Sequence, residues 1–415
     1  MNEYLIQLGK QAKKASYQMS QVDMNVINQT LLEIANQLEI QSEAIIQAND
    51  IDVSQAKSKI DHVMLDRLTL NTQRVQDLAD NLRNVALLES PLGKVEYSYQ
   101  SLKGYRISNI TVPLGVIAMI YEARPNVTTE AMSLALKSGN VIILRGSSTT
   151  LNTNKKLLDI ITNVGKQHGL PDYFCQLVES IDHQDVNELV KMNEYLDVLI
   201  PRGGAKLIQN VVENARVPII ETGIGNNFAY IDESADIDQA IDVIINAKAQ
   251  RVTVCNSLEK LLIHKDVSQS FFSKLEEALQ QHNVVIKADP NIIDSFKDAK
   301  VLPTNELDVE YLDYIIGIMQ VDSIEQAITI INQHSSKHSN LILSTNFYAI
   351  EKFTKEIDSA CVFVNVSTRF ADGVEFGLGS EIGISTQKLH ARGPMGLKAL
   401  TTTKSIVIGK YQQRH

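Results

Sequence analysis

The chain is short of cysteine, of basic clusters and of long apolar runs, and each shortage removes a class of protein. Cys175, Cys255 and Cys361 are odd in number and widely spaced, which argues against a disulfide framework and for reduced thiols in a cytoplasmic protein. The formal net charge is −10 and no Lys/Arg cluster occurs, so no nucleic-acid partner is expected. The densest basic stretch, "KQAKK" near the start, reads as a solvated helix face. No run of about 18 apolar residues is present, so no transmembrane helix is expected. The opening "MNEYLIQLGKQAKKAS" has no apolar h-region and no small-residue cleavage site, so no signal peptide is expected either.

The common nucleotide signatures are missing too. There is no Walker A sequence, and "GIGNN" at 223–227 has two glycines where the dinucleotide fingerprint has three. His334 and His338 in "HSSKH" stand four apart, but no third ligand is near, so they read as structural and no metal is expected.

What remains is an ordinary globular composition, 44 % hydrophobic and 21 % charged, over 415 residues. At roughly 100–200 residues per domain this suggests two or three domains. Residues 1 to 90 read as helices, with Leu31, Ile34, Leu38, Ile45 and Ile46 at helical spacing. The alternating segment "VEYSYQSLKGYRISNITVPLGV" reads as a hairpin turning at Lys103-Gly104. After it, short apolar strands alternate with amphipathic helices. The strands are "GVIAMIY", "VIILRG", "CQLVE", "LDVLIPRGG" and "VPIIETG". A second such series begins near "FAYID" and runs to about residue 365. This pattern predicts right-handed βαβ units and parallel, doubly wound sheets.

Several segments could carry chemistry. In "LIPRGGAKLIQ", Arg202, Gly203 and Gly204 lead from a strand into a helix whose first amides suit a phosphate; the segment reads equally as a plain turn. Arg145, Ser147 and Ser148 in "VIILRGSS" end a parallel strand where a ribose or 2′-phosphate would sit, or Arg145 is a surface arginine. Near the C-terminus, "VNVSTRFADGVEFGLGSEIGIS" crowds glycines around Ser367, Thr368 and Arg369, and "KLHARGP" adds His390 and Arg392. Cys175 and Cys361 lie in apolar strands. Cys255, in "AQRVTVCNSLEKLLIH", stands on a polar joint between a helix and a strand, beside Asn256 and Ser257. A buried small hydrophobe is the common fate of such a residue, but the polar flanks favour an accessible thiol.

At "VTVCNSLEKLLIH" and "VNVSTRFADGVEFGLGSEIGISTQKLHARGPMGLKALTT" the chain resembles the γ-glutamyl phosphate reductase family, a branch of the aldehyde dehydrogenase superfamily. "VPLGVIAMIYEARPNVTTEAMSLALKSGNVIILRG" and "LDRLTLNTQRVQDLADNLRNVALLESPLGKV" extend the likeness to nearly the whole chain. The resemblance implies an aldehyde-dehydrogenase-like α/β fold with two doubly wound α/β domains and a β oligomerisation arm. An NADPH-binding domain would comprise 1–97 and 111–227, rejoined by part of 380–395. A catalytic domain would cover 228–379, and the arm 98–110 and 396–415. It also implies reduction of L-glutamyl 5-phosphate by NADPH to L-glutamate 5-semialdehyde, phosphate and NADP, the second step of proline biosynthesis from glutamate. A homo-oligomer and glutamate 5-kinase as a channelling partner follow from the same resemblance.

The family's nucleophile falls on Cys255, and its side-chain oxyanion donor on Asn126. Arg145, Ser147 and Ser148 would meet the adenosine ribose and 2′-phosphate, Arg202, Gly203 and Gly204 the pyrophosphate, and Glu310 the nicotinamide ribose. Arg369 or Arg392 would hold the departing phosphate, with Arg124, Ser367 and Thr368 as further substrate contacts. Glu221 stands 255 − 221 = 34 residues before the cysteine, where hydrolytic aldehyde dehydrogenases keep a water-activating base. A hydrolytic NAD(P)-dependent aldehyde dehydrogenase is therefore the rival enzyme, and a non-catalytic scaffold on the same fold the rival of another class. The chain departs from the family pattern after His338, where Ser339 and Asn340 replace an expected acidic residue, and in "NNFAYID", which is unusually apolar.

Overall fold

The computed structural model describes residues 2–60 and 62–414. They form two compact units: Met1–Glu221 with Gly377–Gly383 and Met395–His415, and Thr222–Phe376 with Ile384–Pro394.

The first unit opens with helices at Glu3–Met19, Met24–Ile40, Ser42–Ala56, His62–Leu68 and Thr72–Leu87. The helical pattern read over 29–50 is two helices, because Gln41 leaves helical geometry (φ −99°, ψ 17°). Leu31, Ile34 and Leu38 are buried on the first and Ile45 on the second. A four-stranded parallel sheet follows, in the order Cys175–Leu177, Val141–Arg145, Val116–Tyr121, Val198–Arg202. Its central strands are buried at every position, as parallel strands covered on both faces must be. The helix Asn126–Lys137 ends as the sequence predicts. Gly139 takes φ +74° and the Asn140 amide reaches the Ala135 carbonyl at 2.8 Å.

One expected strand is missing. "VPIIETG" makes only a single parallel bridge, Ile219 to Leu199, because Pro218 offers a carbonyl but no N–H to a ladder. The hairpin is present as Val95–Gln100 and Arg106–Pro113, turning at Gly104 with φ +87°. Its second strand is flanked on the other side by Thr401–Ile408, antiparallel, so the far end of the chain completes a three-stranded sheet. Tyr97, Tyr99, Val407 and Ile408 are exposed on this sheet.

The second unit is built on a seven-stranded parallel sheet. Its order is Lys300–Val301, Val285–Ala288, Ile315–Val321, Leu258–His264, Asn227–Ile231, Ser339–Leu343, Cys361–Val364. Alternate residues of one strand serve opposite faces. Ala229 and Ile231 join the cluster under helices Ile237–Ala249 and Gln269–Gln281, whereas Phe228 and Tyr230 join the one under Ile324–His334 and Phe347–Glu356. Helices on both faces make this sheet doubly wound. Asp236 caps the first of these helices, its side chain accepting from the Gln239 amide. Among the described residues, no helix is long and apolar enough to cross a membrane.

A buried carboxylate anchors the start of the helix Leu151–Gln167 in the first unit. Asp52, only 1 % exposed, accepts from the Asn152 and Thr153 amides (3.2 and 2.8 Å), from Asn152 Nδ2 (2.8 Å) and from Thr153 Oγ1 (2.6 Å). It supplies both the missing acceptors and a favourable charge at a helix N-terminus. Asp52→Ala leaves buried donors unpaired and is expected to lower unfolding stability by about 3 kcal/mol in urea titration; a change under about 1 kcal/mol would refute this anchoring role.

Candidate active site

Helix Ile237–Ala249 ends at Gln250, and the chain crosses residues 251–257 before entering strand Leu258–His264. Cys255 lies on this crossing and is half-buried, while Cys175 and Cys361 are buried and no disulfide joins the three. Burial drives the Cys175 thiol far above its usual range, so it stays protonated and inert. Cys255 is thus the one thiol among the three with solvent access.

A second loop is bolted to the crossing through Asn256. Its Nδ2 donates to the carbonyls of Ala371 (2.9 Å) and Arg369 (3.3 Å), and its own carbonyl accepts from Thr368 Oγ1 at 2.7 Å. The Arg369 guanidinium returns along the same path, donating from Nη1 to Asn256 Oδ1 and from Nε to Gln250 Oε1 at 2.9 Å. Burial lowers the proton affinity of Arg369, nearby Arg251 lowers it further, and Cys255 and Asp372 oppose both. A half-buried cation therefore stands within electrostatic reach of the thiol. Arg251, four residues before the cysteine, adds a second positive charge near Arg369.

Ser367 and Thr368 are held inside the loop. Both are buried, Thr368 is tied to Asn256, and Ser367 Oγ accepts from the Arg369 amide at 3.2 Å. Arg392 is engaged at one nitrogen. Its Nη2 donates to Asp358 at 2.9 Å, and Lys388 (2.9 Å) and Lys337 (3.6 Å) share that carboxylate. These bonds, first to Lys388 and then to Arg392, hold the Asp358 carboxyl at about 2. Arg392 Nε is buried without an acceptor, whereas Arg369 uses both Nε and Nη1 on side-chain oxygens.

Glu310 accepts from the Gly225 amide at 2.7 Å, and burial raises its pKa against the pull of Lys248 and Lys260. A Cβ on Gly225 would overlap the Cys255 carbonyl, so glycine is required there. The two histidines of "HSSKH" have local partners: His334 pairs with Asp308 at 2.9 Å and His338 with Ser339 Oγ at 2.8 Å.

In the first unit, Arg145 ends its strand only 6 % exposed. Nη1 donates to the Gly146 carbonyl at 2.9 Å, but the buried Nε has no acceptor. Burial lowers its proton affinity, and Asp185 is the main opposing charge. Ser147 Oγ caps the short turn that follows, accepting from the Thr149 amide at 3.2 Å, and Ser148 is exposed. The start of helix Ala205–Asn214 is already occupied. Glu122 Oε2 accepts from the Gly204 amide at 2.7 Å, and a Cβ on Gly203 would meet the same oxygen at 2.7 Å. The sequence reading missed this carboxylate, which lies in "YEARPNV" at the end of a parallel strand. Asn126 opens the next helix, with Nδ2 donating to Glu130 at 2.8 Å; Arg124, two residues earlier, is half-buried.

Comparison with known proteins places the chain. The aldehyde dehydrogenase family model matches residues 3–293. Gamma-glutamyl phosphate reductases of Clostridium botulinum and Clostridium tetani are 46 % and 47 % identical, with 100 % of this chain and 100 % and 99 % of theirs aligned. The crystal structure of gamma-glutamyl phosphate reductase from Thermotoga maritima matches with a TM-score of 0.96 and 41 % identity, covering 99 % of this chain and 100 % of that one. An acetylating aldehyde dehydrogenase from Geobacillus thermoglucosidasius shares the fold alone, with a TM-score of 0.70 at 17 % identity over 100 % of this chain and 98 % of its own. By sequence over its full length and by fold, this chain belongs to the aldehyde dehydrogenase family and, within it, to the gamma-glutamyl phosphate reductases.

Proposed function

We propose that the protein reduces L-glutamyl 5-phosphate to L-glutamate 5-semialdehyde and phosphate with NADPH, through a thioester on Cys255, as the second step of proline biosynthesis from glutamate. The observation that carries this reading is the half-buried Cys255 thiol beside the Arg369 guanidinium, which Asn256 and Gln250 hold in place. An acyl phosphate puts an electrophilic carbon and an anionic leaving group next to one another. A thiolate and a cation side by side answer both.

The Cys255 thiolate attacks the acyl carbon, a C–S bond forms, and the C–O bond to phosphate breaks with its electron pair leaving on phosphate. Arg369 stabilises that departing charge, and a planar guanidinium can engage two of its oxygens. The Cys255 backbone amide serves the developing oxyanion. Asn126 is proposed as the side-chain donor on family likeness, its amide being held by Glu130. When bound, the reduced dinucleotide supplies the hydride that turns the thioester into a thiohemiacetal. Collapse of that species returns the electron pair to Cys255 and releases the aldehyde. No water needs activating, so Glu221 has no base role in this sequence of steps.

The orphaned, buried Nε of Arg145 suits an anionic ligand, because an acceptor there would relieve an unpaired donor. We assign Arg145, Ser147 and Ser148 to the adenosine ribose and 2′-phosphate, and hence prefer NADPH to NADH. Pyrophosphate at Arg202, Gly203 and Gly204 requires Glu122 to leave the Gly204 amide. Glu310 is proposed for the nicotinamide ribose on family likeness. The exposed Tyr97, Tyr99, Val407 and Ile408 on the three-stranded sheet are proposed to pack against another copy of the chain in a homo-oligomer.

The direct test runs the reaction backwards. Wild-type protein should reduce NADP with glutamate semialdehyde only when inorganic phosphate is present; phosphate-independent oxidation would favour the hydrolytic reading instead. Cys255→Ala should abolish this turnover while preserving fold and dinucleotide binding. Residual activity above about a hundredth of wild type would rule out Cys255 as the nucleophile. Arg369→Lys keeps the charge but loses the fork, and should raise the phosphate KM much more than the semialdehyde KM; equal changes would move the phosphate site elsewhere. Arg145→Ala should weaken NADPH binding more than NADH binding by roughly 1.5–3 kcal/mol, measured by fluorescence titration. An equal loss for both would restrict Arg145 to shared groups or to structure.

A further inference from the structure

The "GIGNN" segment at 223–227 has no part in dinucleotide recognition by sequence, yet two of its residues, Gly225 and Asn227, reach the nucleophile loop. Gly225 lies against the Cys255 carbonyl so closely that no side chain fits. Asn226 turns the other way: its Nδ2 donates to the Leu307 and His334 carbonyls, both at 2.8 Å, and Lys260 Nζ donates to its Oδ1 at 3.2 Å. Asn227 turns towards the loop. Its Nδ2 donates to the carbonyls of Cys255 (2.8 Å) and Ser257 (2.7 Å), while its Oδ1 accepts from the Ser339 amide at 3.0 Å.

We infer that Asn227 is a positioning residue for Cys255, its carboxamide fixing the peptide that carries the thiol; this rests on the proposed role of Cys255 as nucleophile.

Backbone pairing alone does not hold this joint. Strands Asn227–Ile231 and Leu258–His264 are in parallel register, but the register shifts between Asn227, opposite Leu258, and Phe228, opposite Lys260. Glu259 is the extra residue, and the ladder is interrupted where the loop becomes strand. The Asn227 side chain spans that gap. Both hydrogens of its amide are used, one on each loop carbonyl, and its oxygen is anchored to the neighbouring strand. The residue is fully buried, so water cannot replace the donors if they are removed. On the far side of the Cys255–Asn256 peptide, Thr368 holds the Asn256 carbonyl and Asn256 holds the loop of Arg369. The thiol itself is half-buried and packs on one side against the core cluster of this unit. The backbone on either side of it is held by the two carbonyls that Asn227 binds. A displacement of about 1 Å at such a group can cost about a hundredfold in rate.

The test uses Asn227→Ala and Asn227→Asp in the full chain. The aspartate keeps an acceptor for the Ser339 amide but loses both donors to the loop. Phe353→Leu, in the core cluster under helix Phe347–Glu356, provides a control whose loss of Tm reflects packing alone. Three quantities are read: Tm, kcat and KM for phosphate-dependent oxidation of glutamate semialdehyde, and the pH profile of Cys255 alkylation by iodoacetamide, followed on its own peptide by mass spectrometry. The expected result is a kcat about 10–100-fold lower in both Asn227 variants, each KM within about twofold, and an altered alkylation rate or profile at Cys255. Phe353→Leu should leave kcat and alkylation close to wild type at a comparable loss of Tm. A kcat unchanged in the Asn227 variants, or reduced no more than in the control, overturns the inference. So does failure of both variants to fold, since the carboxamide would then serve the sheet and not the thiol. Activity in Cys255→Ala defeats the nucleophile reading itself, whereas an inactive Cys255→Ala with unimpaired Asn227 variants removes only the positioning role.

Discussion

No side chain fits between residue 225 and the carbonyl of Cys255, and the placement of the Cys255 loop depends on that contact. A thiol proposed as a nucleophile has to be reachable by substrate and still held in one place. Burying it would achieve the second at the expense of the first, as Cys175 shows: packed within a strand, its thiol is driven too high to ionise. The alternative is to fix the peptide and leave the side chain partly solvated. Gly225 permits this by letting two stretches of backbone meet, and the Glu310 carboxylate holds Gly225 through its amide. The loop of Arg369 is then fastened to the same peptide through Asn256, so thiol and cation share a common frame.

Beneath this frame lies a group of buried charges that would be costly if left unpaired. Lys248 and Glu259 are both fully buried and 3.3 Å apart, and Glu259 also accepts from the Tyr311 amide at 3.0 Å. Lys260 donates to the Val309 carbonyl at 2.7 Å and stands 4.0 Å from the centre of the Tyr311 ring. Burial pushes the Glu259 carboxyl up and the two ammonium groups down, each opposed by its neighbours of opposite sign. The same lysines pull against the burial of Glu310. The cluster thus stabilises the charge of the carboxylate that holds Gly225, and Lys260 orients Asn226 directly. Polar groups this deep are tolerated because nearly every donor has a defined acceptor.

The parts of this structure that were legible in the sequence are those governed by neighbours along the chain. Continuous apolar runs marked the parallel strands, Gly139-Asn140 marked a helix end, and the polar flanks of Cys255 marked the accessible thiol. Pro218 spoiled one expected strand because a missing N–H matters only when a ladder has to form. Contacts between distant residues were not legible. Nothing near Arg392 in "KLHARGP" shows that Asp358, 34 positions away, pairs with it. Glu122 looked unremarkable because its partner, the Gly204 amide, is 82 positions away. The GIGNN segment was weighed against a nucleotide fingerprint, which its two glycines fail. Its work is done through Asn226 and Asn227, whose partners include the loop at 255–257 and residues beyond 300.

The choice of asparagine at these joints has an electrostatic consequence. Asn226, Asn227 and Asn256 are all buried, and each binds two carbonyls through its side-chain amide. A lysine or arginine could donate to the same carbonyls, and a carboxylate could accept from Lys260 or Arg369, but either would add a full charge close to the thiol. A negative charge there would favour the protonated thiol; a further positive one would compete with Arg369 for a departing anion. Carboxamides fix geometry with dipoles and leave net charge unchanged. The charge nearest in effect to Cys255 is then that of Arg369, on which Arg251 and Asp372 act with opposite sign. The groups that set position are thus separate from the groups that carry charge: carboxamides hold the loop, and Arg369 supplies the cation attached to it.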